Sequence, residues 1–384
     1  MNTERSCRVR GMRMRVCGFT AGGVALVMAL AAAAAPPAAQ GPVTKVGGEL
    51  ISMSAVSASD AWATGPSGDT KPLMMHWDGS TWTRVTVPDR GFPSLSSVSA
   101  DSPSDAWAVG ATNGSHVADV ALHWNGAKWA QVAVPSPGRS FSGLGSVSAA
   151  APDDVWAVGV AGNLVTGVDA ALVLHWNGTA WSQVPIPHAG RYELLAVTAL
   201  SASDVWAVGD VSGRRILVLH WNGTSWSQAA LPRLDGDLAA VTALSPKDAW
   251  AVGHYFGSKF DKSLVLHWNG TAWTRQASPN PSRAGAASIN TLNGVNAVSG
   301  TDAWAVGFYG RVTGQGGVDK TLILHWNGST WVRQASPSVS TSSGLDSVAA
   351  LSPTDAWATG STLPNKSLGT TVILHWNGSA WTRS

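Results

Sequence analysis

The stretch that decides the fold is VTALSPKDAWAVG at 241–253, which is followed after a loop by LVLHWNGTAW at 264–273. It holds three tryptophans, and the same three positions recur along the chain. The three series are Trp62, Trp107, Trp156, Trp206, Trp250, Trp304 and Trp357; Trp77, Trp124, Trp176, Trp221, Trp268, Trp326 and Trp376; and Trp82, Trp129, Trp181, Trp226, Trp273, Trp331 and Trp381. All 21 tryptophans of the chain belong to these series. The sequence therefore predicts seven repeats.

Each repeat contains four segments that are typical of β-strands, separated by turn residues. A single four-stranded antiparallel unit cannot bury its large aromatic face, whereas seven units arranged radially bury it against one another. We therefore predict an all-β protein, a seven-bladed β-propeller of four-stranded antiparallel blades within residues 41–384. The repeats span about 48–88, 89–137, 138–187, 188–232, 233–279, 280–337 and 338–384. Residues 42–46 could add an edge strand where the ring closes.

The third and fourth strands of each repeat are joined by a hairpin whose turn contains Asn-Gly or, in the first repeat, Asp78-Gly79. This dipeptide predicts a two-residue type I′ turn, in which both central residues have positive φ. In the fifth repeat, such a turn at 269–270 places Trp268 opposite Thr271, His267 opposite Ala272 and Leu266 opposite Trp273. Because side chains alternate along a strand, the two tryptophans share one face and the histidine points to the other.

An aspartate and a histidine also recur in every repeat. The aspartate opens the second strand, and we expect its carboxylate to accept hydrogen bonds from backbone N–H groups of the preceding turn. The aspartates are Asp60, Asp105, Asp154, Asp204, Asp248, Asp302 and Asp355, and the histidines are His76, His123, His175, His220, His267, His325 and His375. Equivalent histidines of separate blades are too far apart to share an ion, so we expect a structural role and no metal site.

The first 40 residues differ from the rest of the chain. Five arginines precede an apolar stretch from Phe19 to Ala35, and an Ala/Pro segment follows. This pattern is typical of a signal peptide and predicts a secreted, extracellular protein. The alternative is an uncleaved membrane anchor, for which the 17 residues from Phe19 to Ala35 are marginal in length. Both cysteines, Cys7 and Cys17, lie in this leader, so the mature chain would hold itself together without disulfides.

Charge argues against several classes of partner. The full chain carries +2 at neutral pH, but removal of the leader leaves 20 basic against 22 acidic residues. A clustered basic surface would be expected for binding to nucleic acid or to an anionic membrane. We therefore expect neither partner, and we expect a monomer without cofactors.

Blades differ in two connections, the loop between strands two and three and the crossover to the next blade. In a meandering blade both lie on the same end of the disc, where loops on a rigid scaffold favour binding. After the leader, every Phe and Tyr falls in these segments, some beside arginine. The candidate ligand-binding residues are Arg90, Phe92, Arg139, Phe141, Arg191, Tyr192, His254, Tyr255, Phe256, Phe308 and Tyr309. The alternative is that these rings cap the blade junctions.

The repeat resembles β-propeller repeats of exported bacterial proteins, in particular Asp-box and kelch-type blades. The segment NGTAW at 269–273 is similar to an Asp-box, because its glycine stands three residues before the tryptophan. Leu266 and Trp268 occupy the serine and aspartate positions of that motif. The resemblance implies a propeller of the galactose-oxidase-like or sialidase-like kind without catalytic residues. The copper chemistry of galactose oxidase needs a cysteine crosslinked to tyrosine, which the mature chain lacks.

Three functions remain open at this stage. The first is a non-catalytic binding or scaffold protein whose variable end meets an extracellular polysaccharide, cell-wall component or protein. The second is a carbohydrate-active hydrolase or lyase that uses loop-borne Asp and His residues. Its candidates are Asp119, Asp169, Asp210, Asp235, Asp237, Asp261, Asp319, His116, His188 and His254. The third is a structural protein without a specific ligand.

Overall fold

The chain forms seven separate four-stranded antiparallel sheets, each with its strands in chain order. The computed structural model describes residues 47–67, 71–88, 94–112, 117–135, 141–163, 168–187, 192–282, 288–311, 318–337, 340, 342–362 and 369–384. The predicted fold class is confirmed: the molecule is an all-β, seven-bladed β-propeller. Within these ranges, no helix has the length and apolar character needed to cross a bilayer.

The strands of the first four blades are bounded as follows. Blade one contains β1 (Ser52–Ser57), β2 (Asp60–Pro66), β3 (Pro72–Trp77) and β4 (Trp82–Arg84). Blade two contains β5 (Ser94–Ser102), β6 (Asp105–Ala111), β7 (Asp119–Trp124) and β8 (Trp129–Val132). Blade three contains β9 (Phe141–Ala151), β10 (Asp154–Asn163), β11 (Val168–Trp176) and β12 (Trp181–Gln183). Blade four contains β13 (Tyr192–Ser201), β14 (Asp204–Val211), β15 (Arg215–Trp221) and β16 (Trp226–Gln228).

The last three blades follow the same plan. Blade five contains β17 (Gly236–Ser245), β18 (Asp248–Phe256), β19 (Asp261–Trp268) and β20 (Trp273–Gln276). Blade six contains β21 (Ser288–Ser299), β22 (Asp302–Arg311), β23 (Val318–Trp326) and β24 (Trp331–Arg333). Blade seven contains β25 (Ser343–Ser352), β26 (Asp355–Thr362), β27 (Thr371–Trp376) and β28 (Trp381–Arg383). The first strand of every blade contacts the first strand of the next, so these strands surround the centre.

Hydroxyl groups join the inner strands of several neighbouring blades. Ser52 Oγ accepts a hydrogen bond from the backbone N–H of Val98 at 3.2 Å, and Ser97 Oγ does the same for Val147. The equivalent acceptors in blades three and seven are Ser146 and Ser347, whereas blades four, five and six have Ala196, Ala240 and Gly294 there. Since an inner edge strand exposes unpaired N–H groups, these hydroxyls satisfy donors that the sheet leaves open.

Tryptophan packing between blades forms the core, as predicted. The strand-two tryptophan of each blade is almost completely buried against the next blade. Trp250, for example, lies 5.1 Å from Trp326 and 5.2 Å from Trp331 between ring centroids. The strand-four tryptophans are also buried, while those of strand three, apart from Trp77, are half-buried. The repeated tryptophans are therefore scaffold, and the blades are held by large apolar areas rather than by crosslinks.

The histidine that recurs in each blade pairs with the aspartate of the same blade. The seven His Nε2 to Asp carboxylate distances lie between 2.8 and 3.4 Å, and each histidine ring also lies against the strand-two tryptophan. The structural role predicted for histidine is thus supported. The expectation that the aspartate accepts hydrogen bonds from the backbone of the turn was wrong. Serine hydroxyls accept such bonds instead, as Ser245 Oγ does from the Lys247 N–H. The carboxylate of each aspartate instead pairs with the histidine of its blade.

The hairpin between strands three and four differs from the predicted type I′ turn. Trp268 is paired with Trp273, and not with Thr271, so the connection has four residues. Asn269 Oδ1 accepts hydrogen bonds from the N–H groups of Thr271 and Ala272, both at 3.0 Å. This side chain replaces a backbone acceptor, and only the glycine of the turn has positive φ. The register moves by two residues, and the predicted sharing of faces therefore survives.

Gly270 provides a test of this turn. Its φ is +90°, and an added Cβ would lie 3.0 Å from the Lys247 side chain. We expect Gly270→Ala to lower the free energy of unfolding by about 1–2 kcal/mol, through backbone strain and crowding together. Gly213→Ala is the matched control, because φ is +67° there and an added Cβ meets nothing within 4 Å. Thermal unfolding that ranks Gly270→Ala no lower than the control would contradict the steric part of this account.

Ring closure uses packing and a few hydrogen bonds, with no strand exchange among the described sheets. Trp357 of blade seven lies 5.1 Å from Trp77 and 5.8 Å from Trp82 of blade one. The Gly48 N–H also donates to the Gly369 carbonyl at 3.2 Å. The closing junction therefore repeats the contacts of the other six. The suggested edge strand at 42–46 lies outside the described residues.

Candidate functional site

The two ends of the disc differ in their side chains. At the hairpin end, an Asn or, in blade one, Asp78 accepts the same pair of backbone hydrogen bonds. At the loop end, the residue after the strand-two glycine differs in every blade. This series is Pro66, Ala111, Val160, Asp210, His254, Phe308 and Ser361. Ionisable residues occur there only in blades four and five, so the scaffold does not require them.

Blade five brings a histidine and two aspartates together at this end. His254 on β18 is the cross-strand partner of Asp237 on β17, and its Nδ1 lies 3.0 Å from Asp237 Oδ1. The two side chains are 14% and 27% exposed, so solvent reaches the pair. Asp261 begins β19 and is paired with Phe256. We call His254, Asp237, Asp261 and Phe256 the blade-five cluster.

The aspartates control the protonation of His254. Burial disfavours its charged form, but the hydrogen bond to Asp237 and the charges of Asp237 and Asp261 outweigh burial and raise the pKa of His254. Burial also raises the pKa of Asp261, with a further contribution from the charge of Asp237 and an opposing one from His254. The aspartates thus favour the protonated form of His254, and burial favours the protonated form of Asp261.

Blade four extends the acidic character toward this cluster. Burial raises the pKa of Asp210 to about 6; the Gly213 N–H opposes this shift, and the charge of Asp237 adds to it. Asp210 is the cross-strand partner of Glu193. Asp210 and Asp237, on neighbouring blades, thus lie near enough for their charges to interact.

Phe256 stands at the solvent side of the blade-five cluster. Its side chain is 48% exposed, and its ring centroid lies 5.3 Å from that of His254 in an edge-on arrangement. Within the described ranges, only Phe256 and Val332 are large apolar side chains with extensive exposure. A single exposed apolar side chain is common on protein surfaces, and Phe256 is a candidate ligand contact because its ring stands beside the His254–Asp237 pair.

Cations surround the neighbouring tyrosines. Lys262 Nζ lies 5.9 Å from the ring centroid of Tyr255, and the Arg275 guanidinium lies 5.3 Å from it. In blade six, Arg333 lies 4.9 Å from the Tyr309 ring and donates to its hydroxyl at 3.0 Å. These contacts order both tyrosines. Tyr255 and Tyr309 also pack against the blade-junction cores, so their role is partly structural.

A polar network joins residues 280 and 282, in the described part of the crossover, to β19 and β21. Asn290, which is fully buried, donates to the carbonyls of Asp261 and Ser282 at 2.9 Å, and its Oδ1 accepts from the Ser282 N–H. Asn280 Oδ1 accepts from the Ser263 N–H at 2.8 Å. Asp261 therefore begins a strand whose backbone is held by the side chains of Asn290 and Asn280.

The structure describes only some of the remaining predicted site residues. Arg90, Phe92, Arg139 and Arg191 lie outside the described residues. Tyr192 is only 8% exposed and packs in the core between blades three and four, as the capping alternative expects. Phe141 and Phe308 are half-buried, and Phe308 lies against Gly344 of the next blade.

Sequence reasoning named His254 and Phe256 but did not select their partners. Asp237 and Asp261 stood among many loop carboxylates, and Asn290 was not considered. The available signal was the register: Asp237 precedes the inner-strand leucine, and His254 follows the strand-two glycine, so these positions face each other in every regular blade. Among the described residues, no group of three or more His, Cys, Asp or Glu side chains has the arrangement of a metal site.

Comparisons with known proteins agree on the fold. No protein-family model and no curated protein sequence matches this chain. Among solved structures, an ulvan lyase of polysaccharide lyase family PL25, bound to -[GlcA(1-4)Rha3S]-, has a TM-score of 0.55 at 9% identity, covering 88% of this chain and 96% of its own. YCF48 from Cyanidioschyzon merolae has a TM-score of 0.54 at 17% identity, covering 86% and 96%. YCF48 bound to a D1 peptide has a TM-score of 0.51 at 17% identity, covering 83% and 86%. These likenesses show the fold alone.

Proposed function

We propose that this protein is a secreted, non-catalytic binding module that presents the loop end of the propeller to an extracellular ligand. The observation that carries the proposal is the blade-five cluster, where an exposed aromatic ring lies edge-on beside a hydrogen-bonded His–Asp pair. Export is proposed from the arginine-rich, apolar leader. The even balance of charges in the remaining chain fits a neutral glycan or a protein better than a nucleic acid.

The rest of the molecule supports a binding role by contrast. The hairpin end is built from the same turn in each blade, and its histidines and aspartates are engaged with one another. The side chains that differ from blade to blade, in contrast, are concentrated at the loop end. A rigid disc is suited to ligand recognition without movement of the scaffold when the side chains at one of its ends differ from blade to blade.

A binding array tests this proposal. The purified protein is applied to neutral polysaccharides, acidic polysaccharides, peptidoglycan fragments and a peptide set. We expect specific binding to one class, reduced at least five-fold by Phe256→Ala, since an exposed aromatic anchor commonly contributes more than 1 kcal/mol. The matched control, Ala180→Arg with Ala272→Arg, adds bulk to two exposed hairpin turns and should bind as the wild type does.

The array has two outcomes that contradict the proposal. One is an absence of binding in all four classes. The other is loss of binding in the hairpin-end control with retention in Phe256→Ala, which would move the ligand to the opposite end of the disc.

A second function is favoured by one specific observation. His254 is oriented by Asp237 through Nδ1, and Asp210 has a pKa of about 6, so an acid and a base coexist at the loop end. A carbohydrate-active hydrolase or lyase needs such groups. Incubation with the array's polysaccharides, followed by analysis for new reducing ends or unsaturated products, separates this enzyme from a binding module. Activity lost in His254→Gln would establish the enzyme.

A further inference from the structure

We propose that the blade-five cluster is a subsite for one neutral sugar unit, with Phe256 as the stacking surface and Asp237, Asp261 and His254 as hydrogen-bonding partners. This inference rests on the proposed binding function and names its ligand class. A sugar ring presents C–H groups on one side and hydroxyls around its edge. Recognition of such a unit needs an apolar surface beside groups that donate and accept hydrogen bonds.

The fold of blade five does not require these polar residues. At the position of His254, five other blades carry Pro, Ala, Val, Phe or Ser and still form the same sheet. A half-buried ion pair is weak support for a fold, because desolvation offsets most of the attraction between the charges. The His254–Asp237 pair is therefore better explained by a ligand than by the stability of blade five.

Phe256 supplies the apolar surface of the proposed subsite. Phe256 lies three residues after the strand-two glycine, where blades two, three, four and six have Asn113, Gly162, Ser212 and Gly310. The ring is held edge-on to His254, which leaves 48% of the side chain exposed to solvent. An aromatic ring in contact with polar groups gives a sugar both of the contacts it needs, and the rigid strand end keeps them in place.

The charges around the blade-five cluster favour a neutral ligand. A cationic ligand would meet Lys262 and the protonated form of His254, which offset the attraction of the two carboxylates, and an anionic ligand would meet Asp237 and Asp261. A ligand of either sign thus meets a like charge, whereas a neutral polyhydroxylated unit does not. Carboxylates accept from sugar hydroxyls, and an imidazole N–H donates to them.

The test uses methyl glycosides of neutral hexoses and deoxyhexoses, added to the purified wild-type protein at millimolar concentration. The readout is the imidazole NMR signal of His254, identified by its disappearance in His254→Gln. We expect at least one glycoside to shift this signal in a saturable way. Phe256→Ala should weaken binding about ten-fold, and Asp261→Asn should weaken it by a similar factor. Val332→Ala, at the other exposed apolar side chain, should leave binding unchanged.

The outcomes separate this inference from the proposed function. If array binding still depends on Phe256 but no glycoside shifts the His254 signal, the sugar subsite is overturned and the binding module stands. A shift produced by lysine methyl ester, with none from the glycosides, overturns the subsite in favour of a cation site. Absence of all array binding, in contrast, is the failure of the proposed function itself.

Discussion

Trp357→Ala is expected to lower the free energy of unfolding by about 3–5 kcal/mol and to open the ring between blades seven and one. Trp357 is almost fully buried, and its ring lies against His375 of its own blade and Trp77 of blade one. Removal of the indole leaves a large cavity at the junction where the first and last described blades meet. Amide hydrogen exchange should therefore increase first in β1 and β25.

Trp250→Ala is the matched variant for this experiment. Trp250 has the same neighbours at the junction of blades five and six, namely His267, Trp326 and Trp331. The chain itself continues across that junction, so the cavity should reduce stability without separating the two blades. Equal exchange profiles around both substitutions would show that closure depends on the crossover segments less than this account requires.

The sequence predicts the propeller because its decisive contacts are local and repeated. Three tryptophans per repeat define seven units, and the alternation of side chains places them on the correct faces. The hairpin register was misassigned by two residues because the Asn269 side chain, and not the backbone, accepts the hydrogen bonds of the turn. Ring closure was not predicted, since the contact of Trp357 with Trp77 joins residues from opposite ends of the repeat array.

The candidate site was only partly predictable for a related reason. His254 and Phe256 were recognisable because they depart from the repeat. Their partner Asp237 follows only from the register that the blades share, and the pairing of β17 with β18 shifts between Leu238 and Ala240. Such a bulge changes which residues face each other, and nothing in the side-chain pattern marks it strongly.

Asp119 is expected to make the stability of the folded protein depend on pH. Its side chain lies at the start of β7 with only 7% of the residue exposed, and within the described residues neither carboxylate oxygen has a hydrogen bond of normal geometry. Burial raises the pKa of Asp119 to about 6, and the nearby Ser142 hydroxyl opposes this only in part. A charged carboxylate at neutral pH is therefore unfavourable for the folded state.

The direction of the pH effect follows from this raised pKa. Between the unfolded pKa of about 4 and the folded pKa of about 6, the folded state binds more protons, so stability falls as pH rises through that window. Asp119→Asn removes the charge and keeps the shape. We expect the variant to match the wild type near pH 4 and to be more stable by about 1–3 kcal/mol above pH 7. Thermal and urea unfolding from pH 4 to 8 measure this difference.

Asp78→Asn is the control, because its carboxylate behaves in the opposite way. Hydrogen bonds from the Thr81 N–H, the Ser80 hydroxyl and the Ser80 N–H hold the pKa of Asp78 well below its usual range. Any effect of this exposed group favours the charged wild type, and six blades already carry asparagine at this position. A stabilisation by Asp119→Asn that is the same at pH 4 and pH 8 would contradict the titration of Asp119, whereas one confined to the higher pH places the cost in the buried charge.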